Sequence, residues 1–64
     1  MNNFTPAVIR ILRENGWEPL RRGHGDHDIW WNPATRRKVV VDSKIKSRHM
    51  ANVVLKQAGL PKAF

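Results

Sequence analysis

The sequence predicts an α+β fold: a three-stranded antiparallel sheet with two helices packed on one of its faces. Three observations lead there. Apolar residues recur at helical spacing near both ends of the chain, behind Thr5-Pro6 at one end and ahead of Gly59-Leu60-Pro61 at the other. Between them stand three segments with strand character, "GWEPLRR", "HDIWWN" and "RKVVVD". The links between these segments are too short for a crossover, so consecutive strands must run antiparallel. The expected order is α-β-β-β-α, in one domain spanning residues 1–64.

The first helix is expected over residues 5–15. Thr5 is its expected N-cap, and Pro6 takes the first helical position, where the missing N–H has no partner to lose. Phe4 and Ile9 are placed for a hydrophobic staple. Val8, Ile11 and Leu12 form the apolar stripe, with Arg10 and Arg13 off it, and Asn15-Gly16 is a stop signal. Pro19 is excluded from a helix interior and from a central strand, so residues 16–22 read as a short edge strand. A tight turn over 23–25 comes next.

Alternation over 27–32 sets His27, Ile29 and Trp31 on one face and Asp28, Trp30 and Asn32 on the other. Asn32-Pro33-Ala34-Thr35 is turn chemistry, and the β-branched run in 37–42 makes the third strand. The second helix is expected over 47–58, with Ser47 as cap and Met50, Ala51, Val54, Leu55 and Ala58 as buried stripe. Gly59 stands where a left-handed cap residue belongs, Leu60 can fold back onto Leu55, and Pro61 prevents continuation. Trp17 and one of Trp30 and Trp31 belong in the core; the remaining tryptophan falls on the open sheet face.

With 64 residues the chain can bury only about 60% of its unfolded surface, so its core is small. It has no cysteine, which excludes disulfides and cysteine-ligated zinc. No apolar run could span a bilayer and no secretory pattern opens the chain, so a cytoplasmic location without membrane contact is expected. Twelve Lys and Arg against five Asp and Glu give a net charge of +7, the footprint of a nucleic-acid binder or of a partner for an acidic surface. The basic runs supply the candidate phosphate contacts: Arg21 and Arg22, then Arg36 and Arg37, then Lys44, Lys46 and Arg48. The last two runs flank the ends of one strand, and the final one adjoins a helix N-terminus, where anions are favoured. The tryptophan left on the open face could stack on a base.

The polar stretch "RRGHGDHDIWW" admits three readings: a metal site, a catalytic site or a plain turn. Four ligands must converge on a structural zinc, and adjacent strand residues point to opposite faces, so no metal and no other cofactor is expected. A histidine can act as base or acid near neutral pH. RNA carries its own nucleophile, the 2′-OH, which attacks the neighbouring phosphorus once a base removes its proton. His27 could be that base, with Arg21, Arg22 and Arg37, and Lys44, Lys46 or Arg48 from the far side, to stabilise the phosphorane. On these residues alone a plain polar turn stays open, and most of the weight for a catalytic His27 comes from a family resemblance. His24 reads as a solvated turn residue, and His49 as exposed or packed on tryptophan.

Taken together, "ENGWEPLRRGHGDHDIWWNP" and "VVVDSKIKSRHMANVVLKQAGL" resemble the HicA-type toxin family of bacterial toxin–antitoxin systems. The features that carry the likeness are Gly16-Trp17 after the first helix, Gly25-x-His27 ahead of the second strand, and Val54-Leu55-Lys56-Gln57-Ala58-Gly59-Leu60 at the close. The resemblance covers nearly the whole chain. It implies a double-stranded-RNA-binding-domain-like fold and a ribonuclease that cuts messenger RNA without a metal. It also implies a HicB-type antitoxin that covers the active site, and so a hetero-oligomer. The family's catalytic histidine closes a Gly-Ser-His motif, matched here by Gly25-Asp26-His27, so His27 inherits the role. Asp26 replaces the serine, and a carboxylate there repels a phosphate that a serine could orient. Asp42-Ser43-Lys44 lacks the proline and histidine that many members carry after the third strand, and no second catalytic residue is carried over. The competing expectations are a non-catalytic double-stranded RNA-binding module of the same fold and a small basic protein that only binds an acidic partner.

Overall fold

The structure, a computed structural model, describes residues 3–21 and 27–64 together with the strand backbone of Arg22. Its elements are α1 (Thr5–Glu14), β1 (Glu18–Arg22), β2 (His27–Asn32), β3 (Arg37–Asp42) and α2 (Arg48–Gln57). The strands pair antiparallel in the order β1-β2-β3, and the α-β-β-β-α order is the expected one. The turn expected over 23–25 lies outside the described residues.

The register sorts the side chains. Trp30 lies opposite Pro19 on one side and Val39 on the other, and Val41 shares their face. Trp30, Val39 and Val41 are buried, so this is the face that meets the helices. α1 contributes Val8 and Leu12 to the same core, and α2 contributes Ala51, Val54, Leu55 and Ala58. Each buried Val or Leu is worth about 1.5–3 kcal/mol relative to its exposed state. Trp17 and Trp30 are the two core tryptophans, while Trp31 falls on the open face.

Both helices stop by the same device. In α1, Gly16 takes φ 85°, its N–H donates to Arg13 O, and the Trp17 N–H donates to Leu12 O at 3.0 Å. In α2, Gly59 takes φ 75°, its N–H donates to Lys56 O, and the Leu60 N–H donates to Leu55 O at 2.8 Å. These are Schellman closures, in which glycine makes the left-handed step without a Cβ penalty and the next residue turns back to the core. The β2–β3 turn makes its left-handed step at Arg36, φ 61°, while Asn32 Oδ1 accepts from the Ala34 N–H. A bulge between Pro19 and Arg21 leaves Leu20 exposed on the edge strand β1.

Three expectations need correction. First, Thr5 is not the N-cap of α1. Phe4 occupies that position without a side-chain bond, and Asn3 Oδ1 accepts from the Thr5 N–H at 3.1 Å. The Thr5 hydroxyl is buried and bonds far along the chain, donating to Asp42 O at 2.8 Å and accepting from the Ile45 N–H at 2.9 Å. Phe4 adds a third strap, from its N–H to Ile45 O at 2.7 Å. The start of α1 is thereby sewn to the β3–α2 connection. Second, Met50 is 53% exposed and is not part of the buried stripe. Ala51, Val54, Leu55 and Ala58 already complete an i, i+3, i+4, i+7 stripe, and Met50 falls at its margin. Third, α1 ends at Glu14 and α2 at Gln57, one residue earlier than expected, because Asn15 and Ala58 are C-caps; Ser47 caps α2 as expected.

Thr5→Val keeps the shape but removes both hydrogen bonds, leaving a carbonyl and an N–H to be resatisfied. It is expected to lower stability by about 1–3 kcal/mol, seen as a lower urea midpoint, whereas Thr5→Ser should stay near wild type. A Thr5→Val midpoint equal to wild type would mean that the strap contributes nothing.

Candidate active site

His27 opens β2 and lies directly across from Asp42, the last residue of β3. Both side chains are half exposed on the open sheet face, with His27 Nδ1 and Asp42 Oδ1 3.9 Å apart. At that separation and exposure the pair contributes little to stability. The contact is too long for a hydrogen bond; it places the carboxylate on the Nδ1 side of the ring.

Past Asp42 the chain turns toward α2, and Ile45 sets the direction of its neighbours. Ile45 is buried and is held by the Thr5 and Phe4 straps, so Lys44 and Lys46 on either side of it are thrown outward. Ser47 then caps α2, its Oγ accepting from the Met50 N–H at 3.1 Å. The result is a cavity of about 230 Å³ with His27, Asp42, Lys44 and Lys46 as its polar walls and Val40 and Met50 among its apolar ones. Met50 is thus a wall of the site instead of a core residue.

The sequence candidates divide by position. Lys44 and Lys46 share the cavity with His27. Arg21 pairs with Ile29 on the open face, one same-face step from His27. Arg22 pairs with Asp28 through the strand backbone. Arg48 opens α2 and lines a second cavity together with Lys46. Arg36 and Arg37 are not brought to His27. Arg37 pairs with Asn32 at the opposite end of the strands, about 17 Å away at 3.3–3.4 Å per residue. It is also on the helix face, where a Cβ added to Gly59 would meet its guanidinium at 2.9 Å. His24, Gly25 and Asp26 lie outside the described residues.

Sequence reasoning misses Asp42 as a site residue. No motif marks it, yet the register would find it. A four-residue turn over 33–36 sets Asn32 opposite Arg37, and counting back along β2 puts His27 opposite Asp42. Trp31, on the same open face, is half-buried beside Lys38. The Arg13 guanidinium lies 5.3 Å from the ring centroid of the buried Trp30, a cation–π contact that ties α1 to the sheet. Among the described residues, no group of three or more His, Cys, Asp or Glu side chains could hold a metal ion. Among the same residues, no helix is long and apolar enough to cross a membrane.

The family described as HicA toxin of bacterial toxin-antitoxin matches residues 6–60 of the 64, from within α1 to the closure of α2. Neither the curated proteins nor the solved structures gave a match.

Proposed function

The chain belongs to the HicA toxin family of bacterial toxin–antitoxin systems, a toxin whose family implies an antitoxin partner, and we propose that it acts by metal-independent cleavage of messenger RNA at His27. The observation that carries this reading is the placement of His27. It is half exposed, lies beside Asp42, and lines a cavity that two lysines also line.

The chemistry follows from those positions. An RNA phosphate drawn to Lys44 and Lys46 brings the adjacent 2′-OH toward the imidazole. The His27 imidazole takes the 2′-OH proton, the 2′-oxygen bonds to phosphorus, and the bond from phosphorus to the 5′-oxygen breaks. The leaving 5′-oxygen takes up a proton from the protonated imidazole or from water. The products are a 2′,3′-cyclic phosphate and a free 5′-OH. The lysine charges stabilise the phosphorane where its charge develops. A HicB-type antitoxin that covers this cavity would silence the reaction in a toxin–antitoxin hetero-oligomer, and messenger RNA places the activity in the cytoplasm.

The test is incubation of the pure protein with RNA in excess EDTA. Cleavage should proceed as it does without the chelator, and the upstream fragments should end in 2′,3′-cyclic phosphate. Cleavage that stops in EDTA and returns with a divalent cation would overturn the metal-independent mechanism. Binding that weakens steeply with salt, without any cleavage, would make the protein an RNA-binding module.

A further inference from the structure

We infer that the cavity beside the start of α2 is a subsite for one flanking nucleotide of the RNA strand being cut, an inference that rests on the nuclease reading of the site around His27. This cavity, of about 570 Å³, has aromatic walls in Phe4 and Phe64 and polar walls in Lys46, Arg48 and His49. It is an open groove rather than an enclosed pocket, with room for one nucleotide laid against its walls.

Three features select this occupant. The first is the aromatic wall, which is built rather than incidental. Phe4 and Phe64 meet edge to face, centroids 5.3 Å apart at 67°, and both line the cavity. Phe64 is fixed by Asn52, whose Oδ1 accepts from the Ala63 and Phe64 N–H groups while its Nδ2 donates to a main-chain oxygen of Phe64. Phe4 is fixed by its bond to Ile45 O. These bonds anchor the main chain at both residues, and the two rings pack on each other and against the core, so less freedom is lost when a base stacks there. The second is charge: two cations and an imidazole line the cavity, and no acidic side chain does. Aromatic faces combined with positive charge are how unpaired nucleotides are held.

The third is continuity. Lys46 lines this cavity and also the one that holds His27. A strand with its scissile phosphate at His27 can therefore place a neighbouring phosphate on Lys46 and Arg48 and turn the attached base onto Phe4 and Phe64. A base so engaged must be unstacked, so the subsite selects single-stranded RNA around the cut.

The experiment uses His27→Ala protein, which should hold RNA without cutting it, and a short single-stranded oligoribonucleotide carrying one photoreactive base at successive positions. Crosslinks to Phe4 or Phe64 are expected from one position in the oligonucleotide. Adding Phe64→Ala is expected to weaken binding about tenfold, the usual loss for one stacked base. Arg48→Glu, on an exposed helix position, should also weaken binding and flatten its salt dependence. Wild-type cleavage is followed in parallel. If the wild type cleaves but both variants bind RNA at parental affinity, the subsite is overturned and the nuclease reading stands. If the variants weaken only the complex with the antitoxin, the cavity is a protein-docking surface and the RNA assignment falls. If the wild type neither cleaves nor binds RNA, the nuclease reading fails and the subsite with it.

Discussion

His27→Ala is expected to give a folded protein whose RNA cleavage has dropped by about 10²–10⁴-fold, the usual contribution of one acid–base group. The fold should survive because the side chain is half exposed at the first position of β2 and its contact to Asp42 is a long one. Surface substitutions of this kind usually shift stability by no more than about 0.5 kcal/mol. His27→Gln is the stricter variant, because glutamine keeps polarity and length but cannot take a proton near neutral pH. Both should lose cleavage together and keep RNA affinity, since Lys44 and Lys46 remain. The measurements are initial cleavage rates in EDTA, circular dichroism, and binding of an uncleavable RNA. Wild-type cleavage by folded His27→Ala would refute the assignment. A loss of RNA binding that matches the loss of rate would instead make His27 a binding residue.

The parts of this protein that can be read from the sequence are those fixed by local chemistry. Ser47 as a cap, Gly16 and Gly59 as left-handed closures, and the alternation in β2 depend on residues a few places apart, and the structure has all of them. Thr5 escapes a local reading because its partners lie 37 and 40 residues away. A threonine ahead of a proline looks like a cap, yet here its hydroxyl satisfies a connection whose proximity only tertiary packing creates. Met50 escapes for a related reason: periodicity alone does not tell how wide the buried stripe is.

The site shows the same division. A motif marks His27, and a charge run marks Lys44 and Lys46. Charge also groups Arg36 and Arg37 with them, although strand length puts these two at the far end and Arg37 on the other face. Asp42 carries no motif and enters only through the register. The second cavity depends on Phe4 and Phe64 meeting across nearly the full length of the chain, which no spacing rule predicts.

Leu55→Ala should have the largest effect on stability. Leu55 is fully buried on the inner stripe of α2, and its carbonyl receives the Leu60 N–H that closes the helix. Truncating a buried leucine typically removes about 2–5 kcal/mol, part from lost burial and part from the cavity left behind. At about 0.05–0.15 kcal/mol per residue, a chain of this size holds roughly 3–10 kcal/mol in all. The substitution therefore removes much of the total, and Tm should fall by about 10–30 °C. Met50→Ala is the matched control, because Met50 is 53% exposed and should shift stability by no more than about 0.5 kcal/mol. Urea titrations followed by the fluorescence of the buried Trp17 and Trp30 would separate the two, and a Leu55→Ala midpoint equal to wild type would mean that α2 is not docked as described. The consequence reaches the site, because α2 begins at the Ser47 cap next to Lys46 and carries Met50 into the cavity wall. A loosely docked α2 loses that wall without any change to His27. An antitoxin that binds only the folded toxin would restore the fold by mass action, by about 2.7 kcal/mol at a hundredfold excess over its Kd. Leu55→Ala should thus lose cleavage when alone and regain native fluorescence when the antitoxin is added; if the antitoxin covers the cavity as proposed, that complex stays inactive.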